Sequence, residues 1–264
     1  MNTMKRLMSL SVIVSVVLLT AGTVQAIDFL ETGDGLWNNP ANWDTGSVPV
    51  ITDDTKISNL GTGNATVAIG AGVNAVSNRL RVGYAGGGTI NMTGGTLTVG
   101  GDDLRLGWNS GSGTMNLVAG TVDVWKDLEI GQAGAGDLTM TSGLFTVHDD
   151  IEIGMALGGT TGTFNLNGGT VILDDAFEGD SHLRLYDTGL LHFGGDGSGT
   201  VQVFGDDKNI IQGYIDNGWI TSDLGGAAVD LTTNPGYTTV YAVVPEPATM
   251  ALLGLGALLL RKKK

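Results

Sequence analysis

The chain has 264 residues, 44 of them glycine and none cysteine, which excludes a disulfide framework, thiolate metal sites and a cysteine nucleophile. The glycines do not recur every third residue, so collagen is excluded, and a glycine inside a helix costs about 1 kcal/mol relative to alanine, which argues against helical architecture. Six of the 13 basic residues but only one of the 27 acidic ones lie in the terminal segments, so residues 27–244 carry 7 basic and 26 acidic groups, a net of −19 that repels nucleic-acid phosphates.

The chain opens with the three parts of a secretory signal peptide. Lys5 and Arg6 form a basic start, Leu7 to Ala21 an uncharged apolar run, and Val24-Gln25-Ala26 a small-residue cleavage site. Cleavage is expected after Ala26, within a signal segment of residues 1–26; a retained anchor helix is the competing reading. Residues 27–78 read as an N-terminal cap and a first irregular coil. Trp37 and Trp43 flank an Asn/Pro-rich turn there, followed by Val48-Pro49, Lys56-Ile57-Ser58 and Ala65-Thr66-Val67-Ala68-Ile69. The two indoles are suited to covering an open strand edge.

Residues 79–205 repeat. Arg79-Leu80-Arg81-Val82-Gly83, Asp103-Leu104-Arg105-Leu106-Gly107, Asp127-Leu128-Glu129-Ile130-Gly131 and Asp150-Ile151-Glu152-Ile153-Gly154 are offset by 24, 24 and 23 residues. Each unit adds two more alternating segments, such as Thr89-Ile90-Asn91-Met92 and Thr96-Leu97-Thr98-Val99. Period-two alternation marks half-buried strands, and Gly-rich breaks such as Gly86-Gly87-Gly88, Gly94-Gly95 and Gly168-Gly169 mark corners. Three strands per unit and a period in the twenties predict an all-β fold, a parallel β-helix or β-solenoid with coils of about 24 residues. Right-handed winding is expected from the usual hand of parallel crossovers. Leu80, Val82, Ile90, Met92, Leu97, Val99 and their counterparts face inward. The outward columns Arg81, Arg105, Glu129, Glu152 and Asn91, Asn116, Thr139, Asn165 read as solvent-facing ladders that set register.

A looser fifth coil follows in His182-Leu183-Arg184-Leu185, Leu190-Leu191-His192-Phe193 and Thr200-Val201-Gln202-Val203, after an acidic insertion from Asp174 to Ser181. Insertions of this kind commonly mark a partner-binding corner. Residues 206–244 read as the C-terminal cap. Ile210, Ile211, Tyr214 and Ile215 have helical spacing over Asp207 to Asn217, Gly218 is a stop, and a closing strand is expected near Tyr237 to Val243.

The last segment, residues 245–264, joins Pro245-Glu246-Pro247 to an apolar run, Ala251 to Leu260, and a basic end, Arg261-Lys262-Lys263-Lys264. The 13 uncharged residues from Ala248 to Leu260 fall short of the roughly 20 of a relaxed helical span, but suit a thin or tilted hydrophobic helix anchored by its basic end. These three parts in this order resemble the bacterial PEP-CTERM sorting signal. The resemblance implies export, transient membrane anchoring, and recognition of Pro245, Glu246 and Pro247 by a membrane-embedded exosortase. Cargo of that kind is usually envelope-associated and linked to exopolysaccharide, which makes an extracellular polysaccharide a candidate partner. The repeats are similar to those shared by PEP-CTERM cargo and autotransporter passengers, a family pattern that implies a β-helix and a surface role and carries over no active site.

Three chemistries compete with this reading. The acidic pairs Asp102-Asp103, Asp149-Asp150, Asp174-Asp175 and Asp206-Asp207 supply oxygens of the type Ca²⁺ takes, but no recognisable loop spaces them for it, and Gly194 to Gly199 is only a faint Gly-rich match. His148-Asp149-Asp150, stacked one coil from Asp174-Asp175, could give a hydrolase its paired carboxylates. Trp108 and Trp125 could stack on sugar rings. Solvated turns and corner packing account for the same residues, so no catalytic, cofactor-binding or metal-ligating residue is assigned. The expected function is that of an exported, exosortase-sorted structural or adhesive surface or matrix protein without catalytic activity; the alternative is a carbohydrate-active β-helix enzyme.

Overall fold

A computed structural model describes residues 25–30, 35–58, 64–155, 160–174 and 182–244. The expected signal segment, residues 1–26, read as an N-terminal signal helix, falls almost wholly outside them, as do the sorting segment Pro245 to Lys264 with its hydrophobic helix and most of the acidic insertion. Among the described residues no helix is long and apolar enough to cross a membrane.

The described chain is a β-solenoid of about seven turns. Its first face is a seven-stranded sheet, entirely parallel, built from Ala26–Asp28, Asp54–Ile57, Arg79–Tyr84, Leu104–Trp108, Leu128–Ile130, Ile151–Ile153 and Leu183–Leu185 in that order. The register pairs Leu80 with Leu104, Leu104 with Leu128 and Leu128 with Ile151, matching the sequence offsets. The second and third faces are continuous in two coils, where Gly87–Val99 and Ser112–Val124 each run through the corner as one strand. Register shifts between Met92 and Thr96 absorb that corner, which the sequence reading treated as a break. Later coils divide it into Ala135–Met140 and Leu144–Val147, then Gly162–Leu166 and Thr170–Leu173.

Alternation places one apolar side chain inside for each polar one outside. Leu80, Val82, Ile90, Met92, Leu97 and Val99 are fully buried, as are Leu104, Leu106, Met115, Leu117, Val122 and Val124 one coil on. Burial of each contributes roughly 1.5–3 kcal/mol. The glycine closing each first-face motif has a stricter reason. Gly83 and Gly107 have φ of +76° and +78°, and a Cβ on Gly107 would collide with the backbone of Ala135 in the next coil.

The coil expected to be irregular is regular. Asp54–Ile57, Asn64–Ile69 and Asn74–Ser77 each pair in register with the following coil. The two tryptophans pack against it: Trp37 and Trp43 are 0% and 1% exposed, their rings 5.0 Å apart, Trp43 Nε1 donates to Trp37 O at 2.8 Å and Trp37 N to Ala68 O at 3.1 Å. At the other end the helix spans Lys208–Asp216, with Ile211 its fully buried side chain and Gly218 at φ +73° beyond it. The closing strand, Tyr237–Ala242, pairs antiparallel with Thr200–Phe204 and with Ala227–Asp230, so the parallel stack ends in a reversed hairpin.

Candidate functional site

The first face carries two outward columns separated by the inward leucines. One runs Arg79, Asp103, Asp127, Asp150, His182; the other runs Lys56, Arg81, Arg105, Glu129, Glu152, Arg184. The ladder expected to face solvent is largely buried at its centre, with Glu129 4% and Glu152 8% exposed. Arg105 lies between coils, its Nη2 2.6 Å from Asp103 Oδ2 and its Nε 2.7 Å from Glu129 Oε2. Arg184 Nη1 donates to Asp150 and lies 3.4 Å from Glu152 Oε1, which also accepts from the Tyr186 hydroxyl at 3.1 Å.

Asp127 sits between Asp103 and Asp150 in this stack and accepts from the Asp150 amide at 3.1 Å. Burial pushes its carboxyl up to about 6 against that bond, and the charges of Asp103, Asp149 and Asp150 add to the rise. Burial likewise pushes Glu129 up to about 7 despite Arg105, with Asp103 and Glu152 adding repulsion. Glu152 is raised by burial. Asp103, Asp127 and Glu129 bring one oxygen each within 4.8 Å of one another, as do Asp127, Asp149 and Asp150. In the first group Arg105 already supplies the positive charge, and in the second Arg184 holds Asp150. The arrangement can store a proton near neutral pH.

Around the corner, three consecutive rungs place Trp125, His148 and Asp174 in one column, their amides donating to Val99, Val124 and Val147. His148 Nδ1 lies 2.5 Å from Asp174 Oδ1 and its Nε2 lies 2.8 Å from Asp123 Oδ1. A ring bonded to carboxylates at both nitrogens is satisfied as imidazolium. Burial alone would lower its pKa, but the bonds to Asp174 and Asp123 outweigh that and raise it. The Trp125 ring centroid is 5.7 Å away.

The carboxylates considered for hydrolysis are therefore divided. His148 joins Asp174 and Asp123 at the corner, while Asp150 turns to Arg184 on the first face. Of the other acidic pairs, Asp102 contacts Arg79 and Asp207 lies 3.3 Å from His182. Within Gly194 to Gly199, Asp196 accepts from the Ser198 amide in a local turn. Trp108 packs under the Arg105 guanidinium at 4.4 Å, whereas Trp125 is 42% exposed. Sequence reasoning missed Asp127 and Asp123 as site residues. The 24-residue offset was the signal for Asp127, since it places that side chain between Asp103 and Asp150. Ala26, the expected cleavage residue, opens the first strand, where Asp54 N donates to Gln25 O at 2.8 Å.

The family described as the PEP-CTERM protein-sorting motif matches residues 243–264. The chain carries a PEP-CTERM sorting signal. The match extends two residues upstream of Pro245, to Val243 and Val244, where the described chain ends. A PEP-CTERM signal implies exosortase-dependent export to the cell surface, with an exosortase-like enzyme as partner. No curated protein and no solved structure matches the chain.

Proposed function

We propose that the protein is an exported, exosortase-sorted structural or adhesive component of the cell surface or extracellular matrix, without catalytic activity. In this reading its solenoid winds right-handed, the signal peptide leaves after Ala26, and the C-terminal segment anchors the chain transiently in the membrane before processing. An extracellular polysaccharide is the proposed matrix partner. The PEP-CTERM match is the observation that carries the sorting reading. The non-catalytic reading is supported by outward polar groups engaged with neighbouring coils: Arg105 with Asp103 and Glu129, Asn116 Nδ2 donating to Asn91 Oδ1 at 2.8 Å, and His148 with Asp123 and Asp174.

Removing Pro245 to Lys264 is expected to abolish surface localisation; unchanged localisation overturns the sorting reading. One observation favours the alternative, a polysaccharide-cleaving enzyme: Asp127 and Glu129, raised to about 6 and about 7, are neighbouring carboxyls able to hold and release a proton. Incubation of the exported protein with acidic polysaccharides, with and without Ca²⁺, discriminates the two. New reducing ends or unsaturated products establish the enzyme.

A further inference from the structure

A cleft of about 220 Å³ opens between the last first-face strand, Leu183–Leu185, and the capping helix, lined by His182, Leu183, Arg184, Asp207, Ile210 and Tyr214. It is smaller than the roughly 300–1,000 Å³ of pockets for drug-sized ligands, which restricts it to one ring-sized molecule. Three features distinguish it from a packing gap. Asp207 occupies the N-cap position of the helix, where an aspartate ordinarily accepts from the first-turn amides, yet its carboxylate makes no capping bond and turns to His182 at 3.3 Å. Arg184 makes both of its ion pairs through Nη1, so among the described residues its Nε and Nη2 remain available to donate. Ile210 is 51% exposed at the rim, and Tyr214, whose ring stacks on Trp219 at 5.7 Å, supplies an aromatic wall.

Charge sorts the candidate ligands. Arg184 and His182 are answered by Asp207, Asp150 and Glu152, so an incoming carboxylate or phosphate meets at least as much negative as positive charge. A neutral ligand with alternating hydroxyls can accept from Arg184 and donate to Asp207 while its C–H face covers Ile210 and Tyr214. We infer that the cleft between the last coil and the capping helix binds a single uncharged sugar ring. This inference is independent of the sorting reading, because it rests only on the C-terminal cap.

The test is saturation-transfer NMR on the exported protein with glucose, galactose and mannose in turn, and glucuronate as the anionic comparator. At least one neutral hexose is expected to bind with a Kd of the order of 1 mM, as suits a ligand of so few atoms. Asp207→Ala is expected to weaken binding at least tenfold, and Ile210→Arg to do the same by filling the rim. Ile210 is half exposed, so that variant keeps the core intact, and a thermal melt beside the parent verifies folding. Gln212→Ala, whose side chain bonds Asp216 instead, is expected to bind as the parent does. No transfer to any of the three hexoses, tighter binding of glucuronate, or equal binding by both cleft variants overturns the inference.

Discussion

The repeat stack and the C-terminal cap are built from similar apolar residues and fail differently. Between Leu104 and Leu173 the inward side chains have apolar counterparts above and below them, so each coil is the surface on which the next one packs. The cap breaks that symmetry with one nine-residue helix and a reversed hairpin. Errors in the stack therefore propagate through neighbouring coils, whereas errors in the cap stay at the end. Stability in such arrays is carried by interfaces between repeats, and the terminal unit serves to close them.

Glycine gives the strongest way to break this comparison. Gly107→Val places a branched side chain at φ +78° against the Ala135 backbone, and is expected to exceed the roughly 5–15 kcal/mol that holds a domain together. Loss of the strand signal in circular dichroism checks it; a native spectrum would show that the coil spacing can relax. Next in size are the large-to-small changes. Phe145→Ala in the stack is expected to cost about 3–5 kcal/mol and lower hydrogen-exchange protection in the flanking coils, whereas Ile211→Ala is expected to cost about 2–5 kcal/mol, with protection lost only beyond His182. Equal spreading from both sites would erase the distinction.

A smaller effect separates the acidic first face from the cap. Asp127, Glu129 and Glu152 are raised in the folded protein, and His148 is raised at its corner. All four make the native state bind more protons than the unfolded chain: the Asp127 and Glu129 contributions are fully present below about pH 4 and are lost as pH rises through about 6 and about 7, while those of Glu152 and His148 are likewise lost as pH rises through their raised folded-state values. Tm is expected to fall from pH 5 to pH 8, and Glu129→Gln to flatten the profile. A Tm that rises over that interval is inconsistent with these assignments. The smallest effect is a gain: Gly213 lies inside the capping helix, where an added Cβ would meet nothing within 4 Å, so Gly213→Ala is expected to add about 0.5–1 kcal/mol, read from the denaturation midpoint. Glycine replacement thus has opposite signs in the two regions.

The inward residues of the stack were legible because two local regularities, alternation by two and an offset near 24, specify each side chain without reference to distant chain. The same regularities held the key to Asp127, which the repeat places between two other aspartates, although burial of Glu129 and Glu152 was not visible in alternation alone. The first coil was obscured because Asn74-Ala75-Val76-Ser77 has a weaker apolar pattern, with Ser77 inside, its hydroxyl contacting Thr55 Oγ1 at 2.9 Å and Asp53 O. The capping helix was readable from its apolar spacing, but the short strands Ile220–Ser222 and Ala227–Asp230 carry no repeat and were not.

By itself the sequence determined the coil, its period, its inward face and the address at its C-terminus, because each is written in spacing along the chain. Only the tertiary structure decided that His148 lies between two aspartates from different coils, that carboxyls on an outer face are sheltered from water, and that Asp207 turns from its helix toward the last coil. Those outcomes depend on how rungs from distant positions stack and on which way the final strand approaches the open edge, and a one-dimensional pattern does not contain either.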